Sequence, residues 1–135
     1  MVDFDFIEKL REIKKEIEQS KGTVSLFAIL KIDELTDKWT VILSASWVKP
    51  SEFKDTFLYL RGLLLARLDQ DQRHSIARMG IFEPNNHLVQ MLLDKYQGDE
   101  YIDSDEAVNG NLIHEGYILV ASKEKQRSSS IKSKT

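Results

Sequence analysis

The stretch SEFKDTFLYLRGLLLARLDQDQ, residues 51–72, decides how the rest of the chain is read. Phe53, Phe57, Leu60, Leu64 and Leu68 follow one another at steps of three or four residues, the spacing of a single helical stripe. Leu58, Leu63, Leu65 and Ala66 widen that stripe well beyond the face an ordinary surface helix buries. A helix this apolar predicts a covered, central element. Pro50 holds the residue before it extended, Ser51 offers a hydroxyl to the free amides of a first turn, and the polar run from Asp69 marks the end of the buried part.

Upstream, residues 3–20 predict an amphipathic helix. Phe6, Leu10, Ile13 and Ile17 share a face with Ile7 beside them, and Lys, Arg and Glu fill the remainder. Asp5 followed by Glu8 reads as a capping box, and Lys21 with Gly22 stops the helix. Residues 23–32 and 39–48 alternate as two strands of an antiparallel hairpin. Val24, Leu26, Ala28, Leu30 and Ile32 in the first, and Trp39, Val41, Leu43, Ala45 and Trp47 in the second, are read as one buried face. The opposite face then mixes Ser and Thr with Phe27, Ile29 and Ile42, and an apolar set of that kind implies a cover, here a second subunit or a ligand.

Downstream, residues 74–83 read as a third strand, with Ile76 and Phe82 on one side and Met79 and Ile81 on the other. Pro84, Asn85 and Asn86 open a shorter helix that aligns Leu88, Leu92 and Tyr96. After a polar, acidic stretch, residues 99–111, residues 112–122 form a fourth strand with Gly116 as the site of a bulge. The fold class that follows is α+β, with elements in the order αββαβαβ. It is a four-stranded, mostly antiparallel or mixed sheet, packed on one face by the buried central helix and the N-terminal amphipathic helix. Residues 1–122 make one domain, and 123–135, rich in Ser and Lys without apolar period, make a disordered tail.

Composition narrows function by exclusion. The chain has 135 residues, 41% hydrophobic and 30% charged, and no cysteine, which removes disulfides, thiolate metal sites and thiol nucleophiles. Lys123, Lys125, Arg127, Lys132 and Lys134 against Glu124 give the tail a charge of +4, which leaves −7 on the first 122 residues. An acidic body repels nucleic acid, so contact with it is expected only through the tail. No stretch has the length and apolarity of a membrane span, and the expected location is the cytoplasm.

Motifs that carry chemistry are absent as well. The six glycines stand singly and begin no phosphate-binding loop, no HExxH or GxSxG occurs, and no cofactor is implied. Asp33 or Asp37 with Glu52 and Lys54 do not make a Mg²⁺ nuclease set, because Glu52 and Lys54 stand two apart at a helix start and face different ways. The acidic stretch lacks a third ligand and a glycine after Asp105, so the calcium-loop pattern fails. What remains as metal candidates is Asp103, Asp105 and His114. Arg61 and Arg67 are read as reaching the helix edge or, alternatively, as holding a phosphorylated ligand together with Arg78. The function expected is a non-enzymatic binding, scaffolding or regulatory module that acts through self-association or a protein partner. The alternatives are a metal-dependent hydrolase or nuclease using acidic residues and a histidine, and a small-ligand-binding regulatory domain.

Overall fold

In the computed structural model, which describes residues 4–32, 38–103, 105–108 and 110–122, the strand β1 (Leu26–Lys31) runs through the middle of the molecule. It pairs antiparallel with β2 (Trp39–Ser44) on one side and with β7 (Glu115–Ala121) on the other. β3 (Ile76–Phe82) lies parallel to β2 and β4 (Glu100–Ile102) antiparallel to β7, giving the order β3-β2-β1-β7-β4. A separate hairpin joins β5 (Glu106–Val108) to β6 (Asn111–Ile113). The architecture is α+β as expected, with five strands in the main sheet where four were expected. The additional strands are three residues each and fall within or beside the polar stretch 99–111, too short to show an alternation.

Two layers cover the sheet. On one face lie α1 (Phe4–Ser20) and α2 (Phe53–Arg67), with Leu10, Ile13 and Ile17 packed over Phe27, Ile29, Val41 and Leu43, beside Leu60 and Leu64. On the other lie α4 (His87–Lys95) and the β5–β6 hairpin, whose Val89, Leu92, Val108 and Ile113 meet Leu26, Ala28, Leu30, Ile42 and Ile118. The register explains the division. Phe27 stands opposite Leu43 and Ile29 opposite Val41, while Ala28 stands opposite Ile42. Directly opposed residues share a face. The two strands therefore contribute the same parity to each face, odd-numbered residues to one and even-numbered residues to the other, and the single mixed face expected from Phe27, Ile29 and Ile42 does not form. Phe27 and Ile29 are buried under α1 and α2, and Ile42 under α4. β1 is a near-continuous apolar run because both of its faces are covered.

Local details depart from the sequence reading in instructive ways. α1 ends where Lys21 N donates to Ile17 O and Gly22 takes a φ of +124°, as its stop signal required. Asp5, however, lies inside the helix. Its carboxylate accepts from Gln72 Nε2 at 2.9 Å and pairs with Lys9 at 3.2 Å. The bond from Gln72, then that from Lys9, hold the Asp5 carboxyl below its usual range. Ser51 is part of a short 3-10 turn, Pro50–Glu52, and α2 begins after it at Phe53 without a side-chain cap.

The stretch 51–72 is also two helices. Leu68 turns extended, and α3 (Gln70–His74) starts from Asp69 in a reciprocal capping box with Gln72. Gln72 is buried and joins α3 to α1, since its Oε1 also accepts from Lys9 Nζ at 3.1 Å. Gly116 is no bulge: a Cβ there would lie 2.7 Å from Leu30 Cδ2, so it is a place of close approach, and the register slips instead between Phe27 and Ala28.

Candidate interaction surface

α2 is less covered than its composition predicts. Thr56, Leu60 and Leu64 are buried beneath it, yet Phe57, Leu58 and Leu65 keep 37, 48 and 49% of their surface exposed. The cause is geometric. One flank of α2 faces α1, to which Arg67 is tied by Glu16 at 2.5 Å and Glu12 at 3.3 Å, and its base rests on the sheet. The opposite flank stands over β3, the last strand of the sheet, with no strand beyond it among the described residues.

A row of open hollows follows that seam. Phe53, Lys54 and Phe57 meet Ile81 at one end; Arg61, Leu64 and Leu65 meet Ile76, Met79 and Arg73 at the other. Phe57 and Arg61 with Ala77, Arg78 and Met79 fill the middle. The lining is apolar apart from cations. Lys54, Arg61, Arg73 and Arg78 border it, and no carboxylate does. Arg73 donates to Leu68 O at 2.6 Å, whereas Arg61 has no ion-pair partner among the described residues. An exposed apolar strip of this kind, rimmed by charge and lying along an open strand edge, has the makings of a protein contact.

The metal candidates come together only in part. His114 Nδ1 lies 3.0 Å from Asp105 Oδ1, at the open end of the β5–β6 hairpin next to the Glu106–Ile113 pair, and His114 N donates to Lys31 O at 2.8 Å. His114 Nε2 is buried with no hydrogen-bond partner among the described residues. Asp103 is exposed, and no group of three or more His, Asp or Glu side chains converges among the described residues. His74 and His87 sit on α3 and α4, on separate elements from His114. Asp33, Asp37 and the tail 123–135 lie outside the described residues.

The two tryptophans are packing residues. Trp39 is buried, tilted against Phe6, and carries Lys31 Nζ at 4.6 Å over its ring; Trp47 Nε1 donates to Thr23 O. Lys31 belongs to a half-buried chain of charge, paired with Glu115, which accepts from Tyr101 OH at 2.6 Å. Burial opposes ionisation of Glu115, but the bond from Tyr101 and the charge of Lys31 outweigh it and hold the carboxyl low. On the same face of β7, Arg11 binds Asp99 and Tyr117, whose hydroxyl accepts from Nη2 at 2.8 Å. These groups lock α1 and β4 to the sheet; they do not frame a cleft.

Phe57, Leu58 and Leu65 belong to the stripe whose composition predicts burial, yet they form the exposed strip. The signal lies in Arg61 and Gly62, a cation and a helix-interior glycine that are both exposed. A Cβ at Gly62 meets nothing within 4 Å. Comparison with family models, with curated proteins and with solved structures finds no match.

Proposed function

We propose that this chain is a cytoplasmic, non-enzymatic protein-binding module, and that it binds through the outer flank of α2 and the open edge of β3. The observation that carries the reading is the partly exposed set Phe57, Leu58 and Leu65 on the helix that stands over β3, whose outer edge pairs with no described strand. Burying such side chains contributes about 25 cal/mol per Å² of apolar surface, and a strand edge adds main-chain hydrogen bonds to whatever covers it. A photoreactive residue placed at Leu58 in the full chain, expressed in the source cells, tests it. A protein adduct at position 58 that is missing when the same residue stands at Glu52 supports the reading. Equal labelling at both positions, or none, contradicts it.

A second reading, a metal-dependent hydrolase, has the His114–Asp105 pair in its favour. It requires a third ligand and therefore a divalent ion that raises the melting temperature.

A further inference from the structure

We propose that the occupant of the α2–β3 surface is an extended, acidic segment of another protein, added as a further strand at the outer edge of β3. On the side facing α2 it carries two apolar side chains at alternate positions, with a carboxylate beyond each. This rests on the protein-binding reading above and names the class of partner.

Charge selects the partner. The first 122 residues carry −7, yet the three hollows are lined by Lys54, Arg61, Arg73 and Arg78 and by no carboxylate. Cations and exposed apolar surface are gathered here on an otherwise acidic body. Lys54 and Arg61 are exposed and have no hydrogen-bond or ion-pair partner among the described residues, so both are open to an incoming carboxylate. Arg67 is the contrast, since Glu12 and Glu16 already hold it on the other flank of α2. The same cations oppose a second copy of this chain, which would bring like charges together along the edge. They also oppose a purely apolar partner, which would cover them unpaired.

Shape selects an extended segment. Ile81 borders the hollow beside Phe53 and Phe57, and Met79 borders those beside Arg61. Met79 and Ile81 are alternate residues of β3 on the α2 side of the sheet, and side chains of one face recur on a strand at that interval. A strand laid along β3 therefore presents alternate side chains to successive hollows. Lys54 stands at the Ile81 end and Arg61 with Arg73 toward the Ile76 end, where a carboxylate beyond each apolar side chain meets them. The main chain of such a segment supplies hydrogen bonds to the outer edge of β3, which pairs with no described strand. A lipid surface or a nucleic acid offers that edge no such partner, and the acidic body repels both when they are anionic.

A random peptide library displayed on phage and selected on the full chain tests the proposal. Enriched peptides should carry Asp or Glu on either side of an alternate apolar pair. A fluorescent copy of one should bind at least about tenfold more weakly to Arg61→Glu and to Lys54→Glu, each with an unchanged melting temperature. The bound peptide should slow amide exchange over residues 76–82. Enriched peptides that lack carboxylates, or that both variants bind as tightly as the unmodified chain, would overturn the acidic segment. Slowed exchange over 53–67 with none over 76–82 would overturn strand addition. A library that enriches nothing, with or without retention of the chain on phosphatidylserine vesicles, would overturn the proposal as a whole. If position 58 still gives a protein adduct in any of these cases, the protein-binding reading stands without the acidic segment; if not, both fall.

Discussion

Substituting Leu60 and Leu58 separately by alanine asks whether α2 is covered by its own chain on one side only. The two leucines are two residues apart on one helix, so helix propensity, loop context and unfolded-state effects are nearly matched. Leu60 is fully buried in the core cluster that also holds Phe27 and Leu43, and Leu58 keeps 48% of its surface in water. A buried Leu→Ala change loses the transfer free energy of the side chain and leaves a cavity, about 2–5 kcal/mol together. For a domain of this size a loss of about 3 kcal/mol lowers the melting temperature by roughly 10 °C. Leu58→Ala removes mostly wetted atoms and should cost within about 0.5 kcal/mol. Urea unfolding of dilute protein, with equal slopes for the two variants, gives both values free of association. A loss for Leu58→Ala as large as that for Leu60→Ala would refute the exposed flank, and with it the surface on which the functional reading stands.

Other expectations test other parts of the structure. The bond donated to Glu115, with burial and the charges of Glu115 and Asp103 behind it, pushes Tyr101 up to about 12. Since that lies above its ordinary 10.0, its stabilising share is whole below pH 10 and is lost as pH rises through 12; Glu115→Gln should return one phenol toward 10 in an ultraviolet titration. Glu115 itself is held below its ordinary 4.5, so its share is present above pH 4.5 and lost as pH falls through the folded value; Glu115→Gln should flatten the acid limb of the stability curve. Asn86 Oδ1 accepts from Leu88 N at 2.9 Å and Val89 N at 3.2 Å, so Asn86→Ala should cost about 1 kcal/mol in urea unfolding, and an unchanged midpoint would contradict the cap. EDTA followed by excess Mg²⁺ or Ca²⁺ should leave the melting temperature in place, because among the described residues of the acidic segment only Asp105 meets His114; a rise of several degrees would return the acidic segment to consideration as a metal site.

Much of this fold was legible in the sequence because helical stripes and stop signals are local. Phe6, Leu10, Ile13 and Ile17 locate α1, Gly22 ends it, and Asn86 starts α4, each by a mechanism confined to a few residues. What was not legible depends on register and layer. Whether Ile42 lies beside Phe27 or behind it is settled by which residues of two strands stand opposite, and alternation alone gives no such pairing. When a strand is covered on both sides, as β1 is, both parities are apolar and the pattern loses its direction.

The candidate surface was hidden for a related reason. Leu58 and Leu65 look like core leucines because a helix records how apolar its faces are, not which of them the sheet reaches. Only the strand order, with β3 outermost among the described strands, shows that one flank of α2 stands at the edge of the sheet. The three-residue strands β4, β5 and β6 fall below any readable period, and the capping box at Asp69 and Gln72 lies in a polar run that also reads as the wet end of one continuous helix.

Amide hydrogen exchange of the purified full chain tests the central claim most directly. Unpaired edge amides exchange quickly, and amides held in a strand pair are protected. The account predicts faster exchange in peptides covering residues 76–82, at the edge of the sheet, than in those covering 26–31, paired on both sides. Exchange at 76–82 as slow as at 26–31 would contradict it.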